Sequence, residues 1–278
     1  MSRDQRLALD AKLRKEPQTF GPVPVERLRE GFAAFMGTFP VPPGVRRTPA
    51  ELAGRPALLV EPEGDAQPGT ILYFHGGGNV SGSPETALPL TANLVARTGF
   101  RAFSPHCRLA PEHPCPAGAD DALNAYRALP GSGEDPPAIA SAGDSRGGGH
   151  AVTACPAARD AGLPVPAAIV AFSPGPDYTG TGKSTDTKAG TDPLFTRESL
   201  PHTATMYLAG QDPDQPLLPP ALHADPTGFP PLLLQAGTNE LLPDDPVRLA
   251  ERARGGRRRD PRHHSRGAAR VPGLRPNA

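Results

Sequence analysis

Among the features of this chain, a serine held between two glycines restricts the fold most strongly. Residues 138–149 read Ala-Ile-Ala-Ser-Ala-Gly-Asp-Ser-Arg-Gly-Gly-Gly, so a short apolar run reaches Ser145 inside a Gly-x-Ser-x-Gly pattern. A helix-compatible segment follows, and this order predicts a strand, a sharp turn and a helix. Side chains at Gly143 and Gly147 would collide with the strand and the helix that the turn joins. Taken alone, the pattern fits a glycine-rich loop that caps a helix equally well.

The composition restricts the class of protein without identifying a function. A chain of 278 residues is long enough for one large domain or two small ones. Its formal net charge of zero gives no overall basic surface for nucleic acid. Three cysteines are too few for a secreted disulfide framework and favour a reducing compartment. The 38 prolines and 31 glycines punctuate apolar runs, which indicates a loop-rich globule.

The sequence also carries a prediction about location. The first residues lack the apolar core of a signal peptide. No apolar run approaches the roughly 18 residues that are needed to span a bilayer. We therefore expect a cytoplasmic protein that has no membrane partner.

Apolar runs typical of strands alternate with segments of helical periodicity. Strands are predicted at residues 57–60, 70–74 and 100–104, in the run before Ser145, and at residues 167–172 and 231–237. Helices are predicted within residues 1–36, at 85–97 and 119–128, after Ser145, and at 197–207 and 245–254. Residues 40–55 are interpreted as a proline-rich connection. This order predicts the α/β class, with a mainly parallel sheet covered by helices on both faces.

Three polar motifs follow predicted strands, at His75, Ser145 and Glu240. In an open α/β sheet, ligands bind beyond the carboxyl ends of the strands. Because all three motifs occupy that position, we expect them to meet at one site.

At such a site, Ser145 is the candidate nucleophile. A serine hydroxyl attacks a carbonyl effectively only when a base removes its proton. The charge that develops on the substrate oxygen needs preorganised donors, and the backbone amides of Gly76, Gly77 and Arg146 are the candidates for this oxyanion hole. Glycine is expected at the first two positions because a β-carbon there would hold the substrate carbonyl away from the amides.

Three ordered motifs resemble those of the bacterial hormone-sensitive-lipase-like carboxylesterases of the α/β-hydrolase superfamily. They are His-Gly-Gly-Gly at 75–78, Arg-Leu-Ala-Pro-Glu-His-Pro at 108–114 and Gly-Asp-Ser-Arg-Gly-Gly at 143–148. The resemblance covers most of residues 40–254 and implies the α/β-hydrolase fold, a mostly parallel central sheet with a helical cap. It also implies a serine carboxylesterase that acts on short-chain acyl esters through an acyl-Ser145 intermediate, with no metal and no organic cofactor.

The resemblance also suggests a domain organisation. Residues 1–45 are expected to supply cap helices, and residues 46–254 the hydrolase core, to which the segment 175–225 adds a further part of the cap. Residues 255–278 form an atypical tail rich in Arg and Pro. Related esterases are often dimers, so a homodimer is an expectation here as well.

The acidic member of the triad follows from the same resemblance. In the family it begins an acid-x-Leu-x-acid-acid stretch, which in this chain is Glu-Leu-Leu-Pro-Asp-Asp at residues 240–245. Glu240 therefore stands at the triad position, where a glutamate can orient an imidazole as an aspartate does. Asp244 is the alternative, although Asp244 and Asp245 are also well placed to cap the next helix.

The base histidine is not at the position where the resemblance places it, because residue 270 is arginine. His263 and His264 are the only histidines in the tail, and either is a candidate base. The tail lacks the apolar pattern of a strand. A shifted reading frame or an altered terminus would produce such a tail. A catalytically impaired or dead hydrolase scaffold, which only binds small acyl ligands or self-associates, is therefore the alternative function. A basic arm for nucleic acid is disfavoured, because no other part of the chain supplies a basic face.

The remaining histidines carry weaker expectations. In such sites the histidine at the position of His75 supports its loop, and His113 is expected to be structural within a proline-rich loop. The others have no motif context and are interpreted as ordinary polar residues: His106, His150, His202 and His223.

Two further positions depart from the family pattern. Arg146 stands where the family usually has a small residue, and a cation at a helix N-terminus is electrostatically unfavourable. Pro156 lies inside the helix predicted after Ser145, which it is expected to kink or shorten.

Overall fold

The computed structural model describes residues 3–14, 23–175, 177–215, 218 and 223–259. In this part of the chain, seven strands form one sheet. The strands are β1 (Val45–Leu52), β2 (Arg55–Pro62), β3 (Thr70–Phe74), β4 (Arg101–Pro105), β5 (Ile139–Asp144), β6 (Ala168–Phe172) and β7 (Leu232–Gln235). The α-helices are α1 (Arg3–Leu13), α2 (Val25–Met36), α3 (Pro84–Thr98), α4 (Ala117–Ala128), α5 (Arg146–Asp160), α6 (Ser184–Thr187), α7 (Ser199–Leu208) and α8 (Asp244–Arg259).

The order of the strands places the polar motifs together. The sheet runs β1-β2-β4-β3-β5-β6-β7, and the strands from β4 to β7 are parallel to one another. This confirms the predicted α/β class with a mostly parallel sheet. Because β3, β5, β6 and β7 run in one direction, the residues that follow them emerge on the same side of the sheet.

The buried strand β3 shows how the sheet is covered. Leu72 and Phe74 belong to a core cluster shared with α4, α5 and α8, whereas Ile71 and Tyr73 belong to a second cluster shared with α3. Successive side chains of a strand point to opposite faces, so helices cover both faces of β3. The continuous apolar run of this strand is typical of such a position.

The expectation for residues 40–55 was wrong, because β1 lies within them. β1 pairs in antiparallel register with β2 and forms the edge of the sheet, with Pro49 opposite Leu58. An edge strand tolerates proline, and most residues of β1 are exposed, so the segment lacks the apolar alternation that marks a strand. Ala53 and Gly54 both have positive φ, 53° and 72°, and make the tight turn to β2.

A smaller buried cluster lies outside the two faces of the sheet. It joins Leu28 of α2 and Tyr207 of α7 to Val80, which lies in the loop that follows β3. Elements from the two segments expected to form a cap therefore pack beside the loop that begins at His75. The domain boundaries stay a prediction.

The proline inside α5 does not end the helix. Pro156 lies in its third turn, and α5 continues to Asp160, a length of 15 residues. The expected shortening is therefore wrong.

Candidate active site

Ser145 occupies a strained turn between β5 and α5. Its φ and ψ are 51° and −123°, a backbone conformation that residues other than glycine rarely adopt. Its amide donates to the Phe172 carbonyl at 2.9 Å, and its carbonyl accepts from the amide of Gly149 in α5. The predicted strand, sharp turn and helix are all present.

The two glycines that flank Ser145 are required by close backbone contacts. A β-carbon at Gly143 would lie 2.4 Å from the Gly147 carbonyl, at the start of α5. A β-carbon at Gly147 would lie 2.1 Å from the Phe74 carbonyl oxygen, so it would meet the neighbouring strand β3 instead of the strand that precedes the turn. The predicted crowding is confirmed at Gly143, which meets the helix, whereas at Gly147 the predicted partner was wrong because the turn is pressed against the end of β3.

Asp144 fixes the loop that follows β3. Its Oδ1 accepts from the Tyr73 hydroxyl at 2.7 Å and from the Gly76 amide at 3.0 Å. A β-carbon at Gly76 would lie 2.2 Å from Oδ2 of the same carboxylate. The contact with Asp144 is therefore sufficient by itself to require glycine at position 76. Burial raises the pKa of Asp144, and the two donors oppose that shift.

The three candidate donors of the oxyanion hole differ in whether they already donate a hydrogen bond within the protein. The Gly76 amide is taken up by Asp144, so it is not free in this geometry to bind a substrate oxygen. Over the residues that the structure describes, the amides of Gly77 and Arg146 have no acceptor. Arg146 is the first residue of α5, where a helix leaves its N–H groups unpaired. The Gly77 φ of 114° and a β-carbon position 2.1 Å from the Ser81 carbonyl oxygen require glycine there too.

Glu240 is held by one of its two carboxylate oxygens. Oε1 accepts from the Ser173 hydroxyl at 2.7 Å and from the Gly237 amide at 2.7 Å. Oε2 accepts no hydrogen bond within the described part of the chain. Burial raises the pKa of Glu240, and the Ser173 hydrogen bond opposes that shift. The carboxylate is therefore fixed by one oxygen, with the other left for a further donor.

The alternative acid, Asp244, is engaged elsewhere. Its Oδ2 accepts from the Ser184 amide at 2.9 Å, at the start of α6. The next residue, Asp245, is buried and accepts from the Asp177 amide at 3.2 Å. Burial and the nearby Asp177 charge raise the pKa of Asp245 to about 7. Both aspartates therefore tie α8 to the segment that follows β6.

His75 and His150 are buried near the site. His75 donates through Nδ1 to the Gly76 carbonyl at 2.8 Å, in agreement with a role in supporting its loop. Nε2 of His150 lies 2.7 Å from the Asn79 Oδ1, and the Asn79 amide group donates to the Tyr178 hydroxyl at 2.5 Å. Burial lowers the pKa of His75, and it lowers that of His150 to about 4. His150 is therefore a buried, hydrogen-bonded polar residue.

The other histidines do not complete a triad with Ser145 and Glu240 in the described residues. His106 lies 3.4 Å from Glu85, His223 lies 2.7 Å from Asp214, and His113 is exposed. The two candidate bases, His263 and His264, lie outside the residues that the structure describes.

The Arg146 side chain has partners that offset the cost of a cation at this helix terminus. Its guanidinium lies 3.6 Å from the centre of the Tyr178 ring, and Nη1 donates to the Gly175 carbonyl. Its charge also opposes the rise in the pKa of the buried Asp245 that burial causes. A cation stacked on an aromatic face is attracted by the ring. The unfavourable charge of Arg146 is visible in the sequence, but its contact with Tyr178 is not, because the two residues are distant in sequence.

The comparisons with known proteins agree with this fold. A family model described as the alpha/beta hydrolase fold matches residues 71–264, which is more than half of the chain. The chain belongs to the α/β-hydrolase family. A crystal structure of an esterase from the bacterial hormone-sensitive lipase family has 35% identity and a TM-score of 0.84, over 92% of this chain and 86% of that one. A hormone-sensitive lipase from a metagenome library has 34% identity and a TM-score of 0.86, over 98% and 88% of the two chains.

Curated relatives of this α/β-hydrolase match a smaller part of the chain than the solved structures do. An acetyl-hydrolase of Streptomyces hygroscopicus is 44% identical over 184 residues, which is 66% of this chain and 61% of the relative. An esterase of Acinetobacter venetianus is 32% identical over 216 residues, 77% of this chain and 71% of the relative. The resemblance to hormone-sensitive-lipase-like esterases is thereby confirmed. Among its described helices, the α/β-hydrolase has none that is long and apolar enough to cross a membrane.

Ser173 is a further residue of the site that was not predicted from the sequence. Ser173 directly follows β6, the neighbour of β5, so it emerges on the same side of the sheet as Ser145. The sequence did carry a signal for Ser173, because it is a polar residue directly after a predicted strand. His75 and Ser145 were identified as candidates by the same property.

Proposed function

We propose that this α/β-hydrolase is a serine carboxylesterase that hydrolyses short-chain acyl esters through an acyl-Ser145 intermediate. The observation that carries the proposal is the strained φ of 51° at Ser145, together with the amides of Gly77 and Arg146, which have no acceptor among the described residues. Strain of this kind is retained at functional sites. Similarity to proteins named acetyl-hydrolase and esterase supports an ester substrate with a small acyl group.

In the first half of the reaction, the Ser145 Oγ attacks the carbonyl carbon of the ester. Its proton passes to a base, and the negative charge of the tetrahedral intermediate develops on the former carbonyl oxygen. We assign the amides of Gly77 and Arg146 as the donors to that oxygen, because Asp144 occupies the Gly76 amide. Removal of one such donor costs about 3–4 kcal/mol in a measured case. Collapse of the intermediate expels the alcohol, which takes the proton from the base.

In the second half, water attacks the acyl-Ser145 carbonyl and gives its proton to the same base. The intermediate then collapses: its bond to the Ser145 Oγ breaks, the base returns its proton to that oxygen, and the carboxylic acid leaves. The proposed base is His263 or His264, with its imidazole oriented by Glu240. Oε1 already has two donors, and Oε2 has none among the residues that the structure describes, which supports this role for Glu240.

A scaffold with little or no hydrolytic activity is the second candidate function. The observation that favours it is that no histidine among the described residues forms a hydrogen bond with Ser145 or Glu240. Without a base, only the oxyanion donors and substrate binding would assist the reaction, which leaves a small residual rate.

Hydrolysis of p-nitrophenyl acetate tests the proposal. The wild type is expected to turn over, Ser145→Ala to lose at least about 10³-fold in kcat, and one of His263→Ala and His264→Ala to lose a similar factor. His113→Ala is the matched control, because His113 is exposed. A wild type no faster than Ser145→Ala would establish the scaffold instead.

A further inference from the structure

Ser173 adopts a backbone conformation that its residue type does not favour. It directly follows β6 and has a φ of 44°, in the left-handed region where glycine is most readily placed. Within the described part of the chain, only Ala53, Asn79, Ser145 and Ala209 share this property among residues other than glycine. A serine at such a position indicates that its side chain has a structural or functional role.

The contacts of Ser173 with other segments of the chain indicate that role. Its hydroxyl donates to the Glu240 Oε1 at 2.7 Å, across 67 residues of sequence. Its amide donates to the Gln235 carbonyl, at the end of β7. One residue earlier, the Phe172 carbonyl accepts from the Ser145 amide at 2.9 Å. Residues 172 and 173 therefore bind both the proposed nucleophile and the proposed acid.

The carboxylate of Glu240 cannot rotate freely while this contact is intact. Ser173 and Gly237 approach the same oxygen, each at 2.7 Å. A β-carbon at Gly237 would lie 2.7 Å from that oxygen, so this side of the carboxylate is closely packed. With Oε1 held from two sides, Oε2 keeps one direction relative to β6 and hence relative to Ser145.

We propose that Ser173 is a positioning residue for the hydrolysis, which holds Glu240 through Oε1 so that Oε2 orients the base histidine toward Ser145. The inference rests on the proposed esterase function and assigns no contact between Ser173 and the substrate. Since the hydrogen bond favours the ionised carboxylate, its loss also raises the pKa of Glu240.

Two variants separate the hydroxyl from the backbone. Ser173→Ala removes the hydroxyl at an unchanged φ, and Ser173→Gly removes it while relieving the positive φ. The second variant keeps the test informative if the first folds poorly. Ser141→Ala is the matched control, because Ser141 is buried in β5 and donates to the Ala151 carbonyl, away from Glu240.

The measurements are kcat and KM for p-nitrophenyl acetate across pH, and the Glu240 carboxyl pKa by carbon NMR of glutamate-labelled protein. Glu240→Gln assigns the resonance. Both Ser173 variants are expected to lower kcat about tenfold with KM unchanged, and to shift the Glu240 titration and the acid limb of kcat upward. Ser141→Ala is expected to leave all these values unchanged.

The outcomes separate this inference from the proposed function. An unshifted Glu240 pKa in both Ser173 variants overturns the inference, whether or not the wild type hydrolyses esters. A shifted pKa with unchanged kcat overturns the positioning role in an active enzyme. Restored kcat in Ser173→Gly alone would assign the effect to the backbone and also overturn it. A wild type without esterase activity overturns the proposed function, and with it the catalytic meaning of the contact.

Discussion

Tyr73 and Asp144 are joined by a 2.7 Å hydrogen bond, in which the phenolic hydroxyl donates to Oδ1 of the carboxylate. The same oxygen accepts the Gly76 amide, so the residue before Ser145 is bound both to β3 and to the loop that follows β3. Through this contact, the shape of the proposed oxyanion hole depends on a side chain of the core.

Tyr73→Phe is expected to lower the free energy of unfolding by about 1–3 kcal/mol, because a partly buried carboxylate loses one of its donors. Urea denaturation measures this loss, and kcat is expected to fall with it. Tyr126→Phe is the control, since the Tyr126 hydroxyl donates to the Pro164 carbonyl, away from the site. Equal effects of the two variants on kcat would contradict the assigned role of Asp144.

Gly76→Ala is expected to reduce both stability and activity. The new β-carbon would lie 2.2 Å from the Asp144 carboxylate and force the loop after β3 to move. Overpacking of this kind costs about 1–3 kcal/mol. Gly131→Ala is the control, because no atom lies within 4 Å of its β-carbon position. Denaturation midpoints and kcat should separate the two, and an active, stable Gly76→Ala would show that the loop is not constrained as described.

Glu240→Gln and Asp244→Asn distinguish the two candidate acids. If Glu240 orients the base, Glu240→Gln lowers kcat by roughly 10⁴-fold, the effect of the equivalent change in a serine protease. Asp244→Asn leaves kcat close to the wild-type value, because the Asp244 carboxylate binds the Ser184 amide instead. Steady-state kinetics with p-nitrophenyl acetate give both values, and the reverse ranking would assign the triad to Asp244.

Asp245 is expected to make stability depend on pH. Its pKa is raised from 3.8 to about 7 in the folded protein, so between these values the folded state binds a proton that the unfolded state has lost. The contribution is therefore fully favourable below about pH 4 and is lost as pH rises toward about 7.

Asp245→Asn removes this contribution and keeps an acceptor for the Asp177 amide. Relative to the variant, the wild type is expected to lose stability between about pH 4 and pH 7 in urea titrations. Asp135→Asn, at an exposed position, should show the wild-type profile. Parallel profiles for wild type and Asp245→Asn would contradict a buried, protonated Asp245.

The sequence was sufficient to predict the parts of the fold whose signals are local. The apolar runs of β3 and β6 and the glycines around Ser145 indicate the central strands and the turn, because each signal lies within a few neighbouring residues. β1 escaped prediction since an edge strand with exposed arginines and Pro49 carries no apolar alternation.

The contacts that join distant segments were not predictable in the same way. Ser173 and Glu240 are 67 residues apart, and His150 and Asn79 are 71 apart. Their pairing depends on the strand order, which places the ends of β3, β5, β6 and β7 side by side. The assignment of the base to His263 or His264, the cytoplasmic location and the homodimer stay predictions.

Reaction with a fluorophosphonate tests the nucleophile of this account most directly. The reagent bonds covalently to an activated serine with loss of fluoride, and peptide mass spectrometry locates the adduct. We predict a single adduct on Ser145, formed much more slowly in Glu240→Gln and absent in Ser145→Ala. No adduct in the wild type, or an adduct on another serine, would contradict the account.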